Sequence, residues 1–143
     1  MKRIKYVMFL LSVFACSASL AQTIDVRIPE YIFTEKAIYE VIDDYIKNKN
    51  EYAEIHFYED KENSILFRVY LFDKIDHVSS NAYGFVKSKG TTCFLYDEKY
   101  AIKKKHKKRK FSFPKIDLSS MLIDPDFYIF KLHKKSGMIE RVG

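Results

Sequence analysis

The chain is poor in the residues that punctuate or cross-link small proteins. Of 143 residues four are Gly, three are Pro and two are Cys, and Trp is absent. So little Gly and Pro excludes a collagen-like or low-complexity chain and a barrel of many tight turns. Two cysteines cannot build the bridged framework of a disulfide-dense miniprotein. Cys16 lies in the N-terminal leader discussed below, which leaves Cys93 alone in the β-like run TTCFLYD. A lone Cys in such a run reads as a small buried hydrophobe, with an intermolecular disulfide as the alternative. A reactive thiol would need a neighbouring cation to lower its pKa, and no such signature accompanies Cys93.

Catalytic signatures are also missing. The chain has no GxSxG, HExxH, CxxC, Walker loop or dinucleotide glycine fingerprint. Its histidines, at 56, 77, 106 and 133, lack metal-ligand spacing, so neither a metal nor another cofactor is called for. Asp76-His77 beside Ser79 and Ser80 is the nearest approach to a triad. Neighbours in sequence seldom adopt triad geometry, and DKIDHVSSN reads as a connecting loop. His56 alternates with Glu54 and Tyr58 on a strand face and reads as a cross-strand contact, and His133 reads the same way. Asp43-Asp44 read as solvated positions on the outer side of a helix.

Outside the N-terminus no stretch is long and apolar enough to span a membrane. At the N-terminus, Lys2, Arg3 and Lys5 precede the apolar run YVMFLLSVFA (6–15), and Ser19 and Ala21 supply small residues before a cleavage point. This three-part layout is that of a secretory signal peptide, residues 1–21, leaving 22–143 as one domain. The leader resembles those of exported proteins of Gram-negative bacteria, which implies a periplasmic or secreted product. VFAC (13–16) offers a second route, acylation of Cys16 as in a lipoprotein, although Phe14 is bulky where that pattern has a small residue.

The leader removes three cations and no acids. The mature chain then has 22 basic against 19 acidic residues. Seven of those cations fall in one segment, Lys103, Lys104, Lys105, Lys107, Lys108, Arg109 and Lys110, with His106 among them. Everything else is mildly acidic. A nucleic-acid module spreads its cations over a face with stacking aromatics, and an export signal argues further against that partner. The segment reads as an exposed hairpin tip held extended by like charges. As a functional element it would attract an anionic surface non-specifically, since Lys acts as a point charge.

The remaining pattern is that of an α+β domain. TIDVRI alternates apolar and polar residues and reads as a strand closed by Pro29. Thr34 is placed to cap a helix of about four turns whose stripe is Ala37, Ile38, Val41, Ile42, Tyr45 and Ile46. Residues 52–60 and 64–73 form a hairpin in which Ala53, Ile55, Phe57, Ile65, Phe67, Val69 and Leu71 share the face under the helix. Residues 82–88 and 91–98 flank a Lys89-Gly90 turn, and 127–134 with 137–142 close the chain as a last hairpin. The Pro-bounded segment 114–125 fits a short helix or turn. The expectation is one amphipathic helix on a meandering antiparallel sheet of about five to seven strands. That layout resembles cystatin-like folds at the level of architecture, which carries no function.

The opposite hairpin face carries Tyr58, Arg68, Tyr70 and Phe72, too apolar for a merely wetted surface. It is either covered by the second half of the chain or a binding face with hot-spot composition. The leading expectation is an exported, non-catalytic protein that binds a protein partner through this face, in the manner of an inhibitor or immunity protein. Binding of a polyanion or envelope surface through 103–110 is the alternative, and a small hydrolase the third class. The leader makes the first prediction. The mature protein should begin at Gln22, which intact-mass measurement of the exported form checks, and a lipid-modified Cys16 would contradict it.

Overall fold

The computed structural model of the protein describes residues 23–46, 50–61, 63–114 and 126–143. Residues 1–22, which include the expected leader, and the segment 115–125 lie outside the described residues. In chain order the elements are β1 (Thr23–Phe33), α1 (Lys36–Tyr45), β2 (Tyr52–Lys61), β3 (Ser64–Phe72), β4 (Gly84–Ser88), β5 (Thr91–Asp97), β6 (Ile102–Pro114), β7 (Phe127–His133) and β8 (Ile139–Arg141). A single 3-10 turn, Ile75–His77, sits between β3 and β4.

The β2–β3 hairpin forms as its alternation requires. Ala53 lies opposite Leu71, Ile55 opposite Val69 and Phe57 opposite Phe67. All six side chains are buried in one cluster with Ile38 and Ile42 of α1. The helix is shorter than its apolar stripe suggests, ten residues, because the chain turns extended at Ile46, whose N–H closes on the Ile42 carbonyl at 2.9 Å. Thr34 is not its cap. Glu35 occupies that position without a side-chain hydrogen bond, and the Thr34 N–H donates to the Ala101 carbonyl at 2.7 Å.

The sheet departs from the expected meander. Among the described residues it has eight strands in the order β6-β1-β4-β5-β2-β3-β7-β8, and two pairings, β1 with β4 and β2 with β5, are parallel. The reason is connectivity. Between β1 and β2 the chain passes through α1, and between β3 and β4 through residues 73–83, so strands close in sequence are separated in the sheet. The local turns behave as expected. Lys89 and Gly90 both have positive φ, 46° and 82°, as a two-residue hairpin turn demands. The closing β7–β8 hairpin also forms, with Gly137 at a φ of 70°.

The second face has its own core. Ile28, Phe72, Val78, Ala82, Phe85, Phe94, Tyr96, Phe111 and Phe113 are buried together there. Among the described residues two pieces of chain cover it. One is the 73–83 connection, through Val78 and Ala82. The other is the β1–β6 ribbon, which meets β4 at one registered pair, Glu30 with Phe85, and folds Phe111 and Phe113 edge-on to Phe94. The register of the ribbon shifts between Pro29 and Tyr31, and such a bulge supplies the bend. Phe72 is therefore a core residue and not part of an open binding face. Cys93 is fully buried in the first cluster, and burial pushes its thiol up to about 12, which makes it inert.

The seam between ribbon and sheet depends on Gly84. A Cβ there would collide with the Tyr31 ring and lie 3.1 Å from the Pro29 carbonyl oxygen. Gly84→Ala should destabilise the protein by about 1–3 kcal/mol, the range for overpacking. Urea unfolding measures this, and an unchanged midpoint would show that the ribbon adapts freely.

Candidate functional site

On β2, the positions that alternate away from the helix are Glu54, His56 and Tyr58. Register sets His56 between Tyr96 of β5 and Arg68 of β3. The imidazole stacks on Tyr96, with centroids 4.6 Å apart and planes at 11°, and meets Tyr70 edge-on at 5.4 Å. Tyr58 lies parallel to it at 6.5 Å, and the Arg68 guanidinium sits 5.4 Å over the Tyr58 ring. Tyr70 in turn stacks on Phe127 at 5.6 Å.

Both ring nitrogens of His56 meet carboxylates. Nδ1 lies 2.8 Å from Asp97 Oδ2, and Nε2 lies 3.0 Å from Glu54 Oε1. Glu54 is itself buried, and its second oxygen accepts the Ser79 N–H at 3.1 Å. The Tyr96 hydroxyl donates to the Ser79 carbonyl at 2.5 Å, so the 73–83 connection is pinned to this cluster through both the N–H and the C=O of one residue. Asp97 follows Tyr96 and by strand alternation belongs to the other face. Its φ of 64° breaks the alternation, a conformation that Asp tolerates better than most residues. Burial of the imidazole lowers its pKa, but the hydrogen bonds and charges of Glu54 and Asp97 outweigh that effect, and the net shift is upward.

A carboxylate at each ring nitrogen favours the protonated form of His56, which donates from both nitrogens and then has no lone pair to offer. In the Asp76–Ser80 stretch Asp76 and His77 belong to the 3-10 turn, the backbone of Ser79 beyond it serves Glu54 and Tyr96, and His77 Nδ1 is buried without a hydrogen-bond partner among the described residues. No group of three His, Cys, Asp or Glu among the described residues is arranged to hold a metal.

The sequence-predicted face thus divides. Tyr58 is 37% exposed, Arg68 is exposed and Tyr70 is half-buried, whereas Phe72 is only 6% exposed, under the 73–83 connection. Two contributors escaped sequence reasoning. Phe127 is 48% exposed and joins through β3–β7 pairing. Asp97 joins only through its left-handed backbone. Asp43, expected to be solvated, instead accepts from the Ser88 hydroxyl at 2.5 Å and pairs with Lys89 at 3.7 Å.

The basic segment is not a hairpin tip. Residues 103–110 form the middle of β6, each exposed, and pair antiparallel with β1 from Arg27–Lys110 to Ile32–Lys103. β6 is an outermost strand of the sheet, and lysines on such a strand hinder edge-to-edge addition of further strands. Lys105 pairs with Glu30 at 3.0 Å and Lys110 with Asp25 at 3.8 Å.

Comparison with protein-family models, curated proteins and solved structures finds no match to this chain.

The His56 cluster makes its own stability pH-dependent. Because the folded state holds the His56 proton more tightly than the unfolded chain, the associated stability is fully present below the ordinary value of 6.5 and lost as pH rises through the higher folded value. His56→Gln should remove this component. Denaturant unfolding at about pH 5.5 and about pH 8.5 should show the wild type losing stability relative to the variant as pH rises. Parallel pH profiles would show that the imidazolium contributes nothing.

Proposed function

We propose that the protein is an exported, non-catalytic binding protein that captures a protein partner through Tyr58, Arg68, Tyr70 and Phe127. The observation that carries this is the exposed aromatic-and-arginine patch on the sheet. Tyr58 and Phe127 present large ring surface to solvent, Arg68 lies against Tyr58, and Tyr70 bridges to Phe127. Tyr and Arg dominate interface hot spots because they combine apolar area with directional hydrogen bonds. Strands on both sides and the His56 stack beneath hold these rings in place, which lowers the ordering cost of docking. The leader supports export, and an inhibitor- or immunity-like role suits a small exported domain whose best surface is an interface and whose histidine is locked.

A second reading rests on β6. Seven exposed cations on one edge strand would attract a polyanion or an anionic envelope surface. Ionic strength separates the two, because contacts through buried aromatics survive salt and attraction to exposed lysines is screened.

Tyr58→Ala and Arg68→Ala should each leave stability within about 1 kcal/mol of wild type, as surface changes do. A photo-crosslinker in place of Tyr58 should trap one protein partner in the producing cell, and the purified pair should persist in about 0.5 M salt. Arg68→Ala should then weaken that pair by about tenfold or more. Trapping from Lys104 but not from Tyr58, or loss of the pair in salt, would favour the basic strand instead.

A further inference from the structure

A cavity of about 600 Å³ opens where the end of α1, the start of β2 and the β4–β5 turn meet the folded-back part of β6. Lys87, Tyr52, Thr92, Arg109 and Phe111 are among its lining residues. Strand alternation explains the set. Phe85 and Phe94 point into the second core, so Lys87 and Thr92, two residues nearer the turn and registered opposite each other, share that face. Arg109 likewise stands two residues before Phe111. By closing the second core, the ribbon also brings a guanidinium towards Lys87.

The two cations feel each other. Partial burial, then the charge of Arg109, pulls the Lys87 pKa below its ordinary value against a smaller opposing pull from Glu30. The nearby carboxylates are engaged elsewhere: Glu30 by Lys105 at 3.0 Å, and Asp43 by the Ser88 hydroxyl and Lys89. Glu51 stands exposed on the rim. Among the described residues no carboxylate lies within ion-pair distance of Lys87 or Arg109. A Cβ at Gly90 would meet nothing within 4 Å, so the turn leaves its side of the cavity open.

We propose that this cavity binds a tetrahedral oxyanion, a phosphate or sulfate group, between Lys87 and Arg109. An anion there relieves the repulsion of the two cations. Arg109 offers a planar fork that matches two oxygens, Lys87 a point charge that matches the third, and Thr92 a hydroxyl on the same wall. This differs from diffuse attraction along β6 in using one of its seven cations together with a lysine from β4. It is also independent of the aromatic patch around Tyr58.

Titration of the isotope-labelled protein with inorganic phosphate and, separately, with sulfate at fixed ionic strength tests the site through amide chemical shifts. Saturable shifts at Lys87, Gly90 and Thr92 are expected. Lys87→Ala and Arg109→Ala should each weaken binding by about tenfold, while Lys104→Ala, which removes the same charge from the same strand outside the cavity, should leave it unchanged. Binding of both anions assigns a general tetrahedral dianion site, and binding of one narrows the ligand to phosphate or sulfate esters. Both cationic side chains are exposed, so the variants should keep a native spectrum. Shifts that do not saturate with either anion, or an equal loss in Lys104→Ala, would overturn the proposal.

Discussion

The double-sided burial of β5 is the constraint from which the rest of the structure follows. Thr91 to Tyr96 are all buried, with Cys93 and Leu95 on one side and Phe94 and Tyr96 on the other. A strand that is apolar on both faces needs two covering layers, because leaving either side wet would forfeit roughly 25 cal/mol for each Å² of apolar surface. Among the described residues there is one α-helix, α1, and it covers the Cys93 side. The Phe94 side must be covered by something else.

The cover on that side is the β1–β6 ribbon, and its geometry accounts for the character of the basic segment. Ribbon residues near the bulge must turn inward to deliver Ile28, Phe111 and Phe113, while Lys103 to Lys110 remain on the solvent side of an edge. An exposed edge of thirteen residues would invite pairing with other chains. Charge of one sign along it opposes that addition. The lysine run thus has a structural role that holds whether or not it also meets an anion.

The half of the second face that the ribbon does not reach is managed differently. There the sheet carries aromatic rings, and a buried carboxylate, Glu54, that would be costly alone. His56 neutralises it and, through Asp97 and the stack on Tyr96, ties β2 to β5. The same carboxylate holds the Ser79 peptide, which keeps the 73–83 connection over Phe72. Closed core and open patch therefore meet at one electrostatic cluster, against which Tyr58 and Tyr70 pack.

The sequence by itself determined much of what short-range periodicity carries, although β1 runs through Pro29 to Phe33 and the helix stops after ten residues. The β2–β3 face under the helix, the Ile38–Ile42 stripe, the Lys89-Gly90 turn, the last hairpin and the burial of Cys93 all follow from spacing of two or of three to four residues, which the backbone imposes locally. Tertiary structure alone decided what such spacing does not encode. Parallel pairing of β2 with β5 joins segments whose turns are not shared, and nothing in either strand names its neighbour. The lysine run lacks apolar alternation, so its strand character arises from pairing with β1. Asp97 reaches His56 across 41 residues of chain only because a left-handed residue ends β5. Lys87 and Arg109 come together because the ribbon must fold back to bury Phe111. These features come from matching surfaces that are distant in the chain, and that match exists only once both cores have closed.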